Sequence, residues 1–453
     1  PGFAAMAEAA RIAGKGIVCI KSGKTEASRN AAASHTAALA GGGAASSAFL
    51  RQAGVAEVTT LPELLETLKI FHVYGPRIGP RLCSLSCSGG EAGLVADLAA
   101  PFNIDFSSPS DAQRTRLGEI LGPIVKIANP LDYHTFIWGD GPRTTDVFAT
   151  MLAGYDAGVF IIDPPRPDLC DPASFAPALQ AIEAAAEITG KPAFPVASLP
   201  ENFDEALAIA MMARGTVPLM GLETALGALA AAQTPPGLAG WRPMPPRKPT
   251  RLVLQDEAAA KAALAVAGIA VPRGVMAQSM ADLAALSRDL SPPFALKGLG
   301  FVHKSEVGAV RLGLTTLEGQ APMDGATGYL LEEMITGTIT ELLAGIRRDP
   351  VYGVTLTLGF GGVTAELLAD TVTLICPVTA VEVETALRGL RLWPLLDGYR
   401  GRPSADVGAV VDVALRLQAM MQDARLDEIE INPLMARAQG AIAADAEIWK
   451  EAI

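Results

Sequence analysis

The chain has 453 residues, half of them hydrophobic, and a formal net charge of −12. This length predicts roughly two to four domains, and the acidic balance argues against a general nucleic-acid or membrane-surface binder. Much of the hydrophobic fraction is alanine, and no apolar run reaches the length of about 18 residues that a membrane span requires. The five cysteines are scattered, so we expect free thiols in a reducing cytoplasm.

The first segment, residues 1–75, contains a histidine in an unusual setting. Pro1 opens directly into a helical pattern that is followed by the strand GIVCI, so we expect the chain to enter a domain part-way and further residues to precede it. His35 lies within AASHTAALAGGGA, residues 32–44. This setting is typical of a histidine that bonds a backbone carbonyl in a turn of small residues, and also of a nucleophile that a large charged group can approach.

The second segment, residues 76–230, alternates short apolar runs with alanine-rich helical stretches. RLCSLS, GVFII and AFPVAS are continuous apolar runs, which indicates strands buried on both faces of a parallel sheet. The pattern is that of a doubly wound α/β domain. Residues 231–250 are rich in proline and predict a semi-rigid linker.

The last segment, residues 251–453, predicts an α+β domain with candidate ligands for a phosphate and a cation. Lys297 ends the strand FALKG beside glycines, where it could meet a phosphate or simply be solvated. Glu430 and Asn432 lie two residues apart on one strand face, and Asp445 follows on the next strand. The asparagine and aspartate oxygens could form half of a Mg²⁺ shell, although a solvated strand face gives the same pattern.

The motifs HKSEVGAV, LLEEMITG, GIRRDP, GFGG and EIEINPL occur in this order. Together they resemble the ATP-grasp domain of the NDP-forming acyl-CoA synthetases, a family similar to succinyl-CoA synthetase. KSGK…SHTAALAG resembles the phosphohistidine segment of that family, and CSGGEAGLVADLA with NPLD resembles its second ligase lobe. The resemblance spans essentially the whole chain. It implies two flavodoxin-like parallel-sheet lobes, with residues 1–75 belonging to the first and residues 76–230 forming the second, followed by an α+β ATP-grasp domain at residues 251–453.

The resemblance implies a ligase that joins a carboxylic acid to CoA with ATP and Mg²⁺, releasing ADP and phosphate. His35 stands at the phosphorylated position, and imidazole is a good nucleophile near neutral pH. Helix N-termini favour phosphate, so we expect the N–H groups of Ser88, Gly89 and Gly90 to face the phosphohistidine. His303 matches a second histidine that is proposed to relay the phosphoryl group.

The resemblance also implies a nucleotide site in the last segment. Lys297 is expected to bind the ATP phosphates. Asn432 and Asp445 are expected to bind Mg²⁺, and Glu430 to accept the ring N–H of the histidine near the γ-phosphate. The segment expected at the adenine and ribose comprises Glu332, Glu333 and Met334.

The stretch ANPLDYHTFIWGDG, residues 128–141, is expected to contact the acid. The candidate contacts are Asn129, Asp132, Tyr133 and Trp138. Tyr133 and Trp138 could form an apolar wall or a cation–π face for an onium-bearing acid, and a tryptophan packed under a loop would give the same pattern. A cation–π face would suit a related ATP-dependent dimethylsulfoniopropionate lyase, which is one alternative function.

A second alternative is a non-catalytic module that senses acyl-CoA or a nucleotide, because some relatives combine these lobes with an acetyltransferase domain. The presence of His35, His303, Asn432 and Asp445 favours catalysis over sensing. Residue 37 is Ala where the family commonly has Gly, a change that strains the backbone only at positive φ. The expected partners are a small carboxylic acid and CoA in a homo-oligomer, with neither nucleic acid nor membrane.

Overall fold

The computed structural model describes residues 2–25, 27–28, 42–247, 251–301, 308–362 and 370–452. The chain divides into two compact units. Residues 2–22 and 50–241 form one, named here the parallel-sheet unit. Residues 23–49 and 242–453 form the other, named the antiparallel-sheet unit.

The parallel-sheet unit is built on five parallel strands, three of which are completely buried. The strands of this unit are β1 (Val18–Ile20), β2 (Ala56–Val58), β3 (Leu82–Ser86), β4 (Leu131–Asp132), β5 (Ala157–Ile161), β6 (Ala193–Ala197) and β7 (Leu219–Met220). The main sheet has the order β4-β3-β5-β6-β7, and β1 pairs with β2 separately. Counted from β3, this is the 2-1-3-4-5 order of flavodoxin-like folds. Such folds bind ligands at the carboxyl ends of the two strands where the winding reverses, here β3 and β5.

Polar residues fix the starts of several helices in residues 2–241. The helices are α1 (Gly2–Ile12), α2 (Gly43–Gln52), α3 (Leu61–Tyr74), α4 (Gly89–Ala99), α5 (Asp111–Leu121), α6 (Gly141–Ala153), α7 (Ala176–Thr189), α8 (Glu205–Ala213) and α9 (Leu222–Ala232). Thr60 and Ser110 form capping boxes at α3 and α5, which satisfies N–H groups that the helix itself leaves without an acceptor. Helix α4 differs, because its N-cap Ser88 makes no side-chain capping bond.

The antiparallel-sheet unit contains two sheets. Its strands are β8 (Leu252–Leu254), β9 (Gly274–Ala277), β10 (Phe294–Leu299), β11 (Val310–Leu314), β12 (Gly328–Glu333), β13 (Thr338–Asp349), β14 (Gly353–Phe360), β15 (Thr371–Ile375), β16 (Leu426–Arg437), β17 (Ala441–Ala443) and β18 (Ala446–Glu451). The smaller sheet has the order β11-β10-β12-β9. The larger has the order β15-β14-β13-β16-β18-β8, with β17 paired to β16.

Strand β16 shows how the larger sheet separates its core from its polar face. Ile429 and Ile431 are buried in the hydrophobic core, whereas Glu430 is half-buried and Asn432 is exposed. The alternation places Glu430 and Asn432 on the face opposite the two isoleucines. The helices of this unit are α10 (Glu257–Val266), α11 (Met280–Leu286), α12 (Ala380–Arg388), α13 (Trp393–Leu396) and α14 (Val407–Met420).

The fold class predicted from the sequence is confirmed: a flavodoxin-like parallel sheet is followed by an α+β region. The continuous apolar runs of residues 76–230 form the buried parallel strands, as expected for a sheet covered on both faces. Within the described part of the chain, no helix combines the length and the apolar character needed to cross a membrane.

Candidate functional site

Lys297, Asn432 and Asp445 lie together in the antiparallel-sheet unit. The Nζ of Lys297, on β10, donates to the carbonyl of Ala444 at 2.7 Å, which places the ammonium beside Asp445. The backbone N–H of Asn432, on β16, donates to the carbonyl of Asp445 at 3.3 Å. Three residues from distant parts of the sequence therefore meet where β10, β16 and β18 come together.

The side chains of Asn432 and Asp445 offer oxygen donors that suit Mg²⁺. Asn432 Oδ1 accepts only a long bond, 3.4 Å, from the N–H of Gly362, and Asp445 Oδ1 accepts from the N–H of Ala446 at 2.8 Å. The described residues hold no cluster of three or more His, Cys, Asp or Glu that could bind a metal. One amide and one carboxylate are nevertheless a fitting partial set, because Mg²⁺ usually keeps waters and substrate phosphates as its other ligands.

Lys297 belongs to a buried cluster of four charged side chains. Its Nζ lies 2.6 Å from Glu257 Oε1 and 3.1 Å from Glu332 Oε2. A second lysine, Lys261, pairs with both glutamates, at 2.8 Å from Glu257 Oε1 and also with Glu332 Oε1. All four residues are at most 6% exposed. Two ammonium and two carboxylate groups thus neutralise each other out of contact with water.

The cluster determines how the two lysines behave electrostatically. Burial alone lowers the pKa of Lys297, but Glu257, Glu332 and Asp445 outweigh it, so the pKa is raised and the ammonium stays charged. Burial, assisted by the charge of Lys297, lowers the pKa of Lys261. An ammonium has three N–H donors, and Lys297 has acceptors in Glu257, Glu332 and the carbonyl of Ala444. A phosphate oxygen that binds Lys297 must therefore replace one of them.

The segment predicted at the adenine and ribose is anchored to neighbouring backbone. Both oxygens of Glu332 face lysines of the charge cluster. The carboxylate of Glu333 accepts from Arg273 at 3.1 Å and from the N–H of Ser291 at 2.9 Å. The N–H of Met334 donates to the carbonyl of Pro293 at 2.8 Å. These bonds fix the path of the chain after β12.

Three further predicted residues concern the phosphoryl group. Glu430 is half-buried, on the same face of β16 as Asn432, and it pairs in register with Glu447 on β18. His35 and His303 lie outside the described residues. The structure therefore places Glu430 one side-chain repeat from the predicted Mg²⁺ ligand and carries no information on the two histidines.

A cavity of about 540 Å³ lies in the parallel-sheet unit, at the carboxyl ends of β3 and β5. This is the reversal point where flavodoxin-like folds bind their ligands. Its lining residues are Cys87, Glu91, Thr135, Trp138, Ile161, Ile162, Asp163 and Phe175. The cavity is thus formed by the loops that follow three strands and by the first turn of α4.

The first turn of α4 has a carboxylate beside it. Ser88 is the N-cap, and Gly89 and Gly90 follow as the first two helical residues. A Cβ at Gly89 would come within 3.2 Å of Asp132 Oδ2, so this carboxylate lies next to the positive end of the helix dipole. Asp132 Oδ1 also accepts from the backbone N–H of His134 at 2.9 Å.

The other predicted acid contacts differ in position. Trp138 lines the cavity, and its ring meets Phe175 edge-on, with centroids 5.1 Å apart and an interplanar angle of 80°. Tyr133 is 3% exposed, with its ring against Phe148 in the core. The side chain of Asn129 accepts from the N–H of Ser84 and donates to two carbonyls, those of Leu82 and Ser107, each at 3.0 Å. Asn129 and Tyr133 therefore hold the loop from inside, and Trp138 faces the cavity.

Sequence reasoning missed three residues that line this cavity, Glu91, Asp163 and Phe175. Burial raises the pKa of Glu91 to about 7, and the nearby carboxylates of Asp163 and Asp132 add to the effect. Glu91 directly follows the two glycines and Asp163 directly follows GVFII, so their places at strand ends were a usable signal. Nothing in the sequence around Phe175 marks it. Glu257 and Lys261 were missed as well.

Comparison with known proteins identifies the relatives of the chain. Residues 248–449 match the model of the ATP-grasp domain, and residues 1–71 match that of the succinyl-CoA ligase-like flavodoxin domain. Acetate–CoA ligase (ADP-forming) I of Archaeoglobus fulgidus is 26% identical over 462 residues, which cover 95% of this chain and 65% of that protein. The chain is homologous to ADP-forming acyl-CoA ligases. The charge cluster and the predicted Mg²⁺ ligands all fall within the ATP-grasp domain.

Other relatives of this ADP-forming group extend the comparison. A trans-feruloyl-CoA synthase from an unknown prokaryotic organism is 28% identical, covering 98% of this chain and 66% of that protein. The chain thus spans about two thirds of the length of these relatives. A solved structure of acetyl-CoA synthetase 1 from Ca. Korarchaeum cryptofilum with coenzyme A is 28% identical and covers 44% of this chain and 93% of that chain, with a TM-score of 0.40. The relatives favour a ligase over the lyase and the sensing module.

Proposed function

We propose that the protein forms an acyl-CoA from a carboxylic acid and CoA at the expense of ATP, with ADP and phosphate as the other products. The observation that carries the proposal is the meeting of Lys297, Asn432 and Asp445 within the ATP-grasp domain. They supply a cation for phosphate oxygens and two oxygen donors for Mg²⁺. Homology to ADP-forming CoA ligases over 95% of the chain supports the same reaction.

In this proposal the ATP-grasp domain binds the nucleotide. Lys297 contacts the phosphates after releasing one acceptor, and Glu332, at 3.1 Å, is its most distant one. Glu332, Glu333 and Met334 border the adenine and ribose. Asn432 and Asp445 hold Mg²⁺, and the bound ion supplies neutralisation of the charge on the phosphate oxygens.

The proposed chemistry transfers one phosphoryl group twice. A ring nitrogen of His35 attacks the γ-phosphorus, the bond to ADP breaks, and the imidazole loses its proton. A carboxylate oxygen of the acid then takes the phosphoryl group to give an acyl phosphate. The sulfur of CoA attacks the acyl carbon, and phosphate leaves. His303 is proposed to relay the phosphoryl group, and Glu430 to accept a histidine N–H beside the nucleotide.

The parallel-sheet unit is proposed to contribute the second reaction site. The first turn of α4, opened by Ser88, Gly89 and Gly90, lacks a side-chain cap from Ser88 and can donate N–H groups to the phosphohistidine. Trp138 is the proposed contact for the acid. Asp132 borders the same turn and is proposed to orient the reacting groups there.

Two further residues are proposed to act through the loop that carries Trp138. Asn129 ties that loop to the backbone of β3, and Tyr133 packs its ring in the core beneath it. Both are therefore positioning residues for the acid in this proposal. The aromatic and carboxylate groups that border the acid belong to the loops after β3, β4 and β5.

Labelling with ATP tests the proposal directly. Incubation of the protein with Mg²⁺ and ATP labelled in the γ-phosphate should give an acid-labile, base-stable label on the protein. His35→Ala should abolish the label. His72→Ala, which alters a histidine on α3 instead, should retain it as the matched control. A wild-type protein that acquires no such label would contradict the proposal.

The proposed setting is a cytoplasmic homo-oligomer. The five cysteines, all within the described residues, are free thiols, which suits a reducing compartment. Light scattering coupled to gel filtration measures the assembly directly. A monomeric mass across the working concentration range would contradict the oligomer and leave the proposed reaction untouched.

A further inference from the structure

The cavity at the carboxyl ends of β3 and β5 has properties that describe its ligand beyond "a carboxylic acid". This inference rests on the proposed function, because it takes the cavity as the site of the acid. Its volume of about 540 Å³ falls in the range of roughly 300–1,000 Å³ typical of sites for drug-sized ligands. An acid of two or three carbons would fill only a small part of it.

One wall of the cavity is aromatic and aliphatic. Trp138 and Phe175 meet edge to face, and Ile161 and Ile162 continue from the buried strand β5. An edge-to-face pair exposes both a ring face and a ring edge to a third group, and aromatic ligands pack well against either. The shape and chemistry of this wall suit a planar ring better than a short aliphatic chain.

The remaining polar atoms of the cavity are acceptors. Glu91 Oε2 is buried and has no hydrogen-bond partner. Asp163 Oδ1 accepts from the N–H of Ser198 at 2.7 Å and from the amide of Asn202 at 2.8 Å, which fixes this carboxylate at the end of β5. No lysine, arginine or histidine lines the cavity among the described residues. A buried acceptor without a partner calls for a donor, and here the ligand must bring it.

We propose that this cavity binds the ring of an aromatic carboxylic acid that also carries a hydroxyl group, with the hydroxyl donating to Glu91 or Asp163. The ring lies against Trp138 and Phe175. The carboxylate of the acid lies toward the first turn of α4, where N–H groups and the helix dipole favour an anion. Specificity then has two sources, the aromatic wall for the ring and the carboxylates for the hydroxyl.

Isothermal titration of the protein without ATP or CoA tests the inference. The probes are 4-hydroxycinnamate, cinnamate, 4-methoxycinnamate, propionate and glycine betaine. We expect 4-hydroxycinnamate to bind at least tenfold more tightly than the two cinnamates that lack the hydroxyl, and propionate to bind more weakly still. Equal affinity for propionate would overturn the inference, and so would tighter binding of glycine betaine, which would assign the carboxylates to a cation.

Variants separate the two sources of specificity. Phe175→Leu should weaken every cinnamate at least fivefold, whereas Phe3→Leu, at an exposed phenylalanine on α1, should change none. Glu91→Leu should leave cinnamate binding intact and remove at least half of the preference for the hydroxylated acid. A preference that survives both Glu91→Leu and Asp163→Leu, in proteins whose circular dichroism matches the wild type, would overturn the assignment of the hydroxyl.

The outcome is distinguishable from failure of the proposed function. Binding of the acid is measured without phosphoryl transfer, so a protein that cannot be labelled by ATP can still show the predicted selectivity. Conversely, a protein that is labelled on His35 but binds propionate as well as 4-hydroxycinnamate keeps the ligase proposal and overturns this inference.

Discussion

Replacing Lys261 by methionine tests whether the charge cluster behaves as a buried, neutral unit. The substitution keeps the length of the side chain but leaves two glutamates facing one lysine. Removing one partner of a buried ion pair costs roughly 3–5 kcal/mol of unfolding free energy. Glu257 and Glu332 retain Lys297 at 2.6 and 3.1 Å, so we expect the lower end, about 3 kcal/mol.

Urea unfolding followed by circular dichroism measures this loss, and a second substitution tests its cause. Adding Glu257→Gln to Lys261→Met restores electrical neutrality, so the double variant should recover roughly 1–2 kcal/mol relative to Lys261→Met alone. Glu384→Gln breaks an exposed pair with Arg388 on α12 and should change the stability by less than about 0.5 kcal/mol. If the double variant is less stable than Lys261→Met by the full effect of Glu257→Gln, the cluster does not act as a unit and the reasoning fails.

Three other predictions follow from the site geometry. Because the pKa of Glu91 is raised from 4.5 to about 7, its ionisation opposes folding, and stability should fall as the pH rises from 4.5 to 7; Glu91→Gln should match the wild type at pH 4 and exceed it by roughly 1 kcal/mol at pH 8, a value reduced for solvent screening of a half-buried group. Asn129→Ala should cost about 2 kcal/mol in urea unfolding, since it leaves the N–H of Ser84 without its acceptor; a loss below 0.5 kcal/mol would refute the positioning role. Asp445→Asn should raise the Mg²⁺ concentration needed for binding of a fluorescent ATP analogue at least tenfold, and an unchanged Mg²⁺ dependence would remove Asp445 from the ion's ligands.

Regular patterns in the sequence carried the fold. Strands buried on both faces read as unbroken apolar runs, so GVFII and AFPVAS identified β5 and β6 without ambiguity. Alternation along β16 was equally informative, because a period of two fixes which residues share a face. The spacing of Glu430 and Asn432 alone therefore predicted that both lie on one side of the strand.

The cavity was harder to predict because its residues come from loops. The strand before Tyr133 is only two residues long, Leu131–Asp132, so no periodicity extends far enough to tell a buried side chain from one that lines a cavity. Tyr133 is in the core and Trp138 faces the cavity, although both were grouped together as aromatic candidates. Phe175 reaches Trp138 from a separate loop after β5, and only the tertiary structure brings the two rings together.

The charge cluster shows a more general reason for what sequence alone misses. Glu257 and Lys261 are spaced i,i+4 at the start of α10, which usually means a solvated pair on a helix surface. Here α10 packs against β18, and Lys297 and Glu332 arrive from positions 40 and 71 residues away along the chain. Each lysine is tolerated in the interior only because both glutamates are there, and each glutamate only because of both lysines. A residue whose burial depends on three others cannot be assigned to the interior one position at a time, so this part of the nucleotide site becomes visible only when the strands are in register.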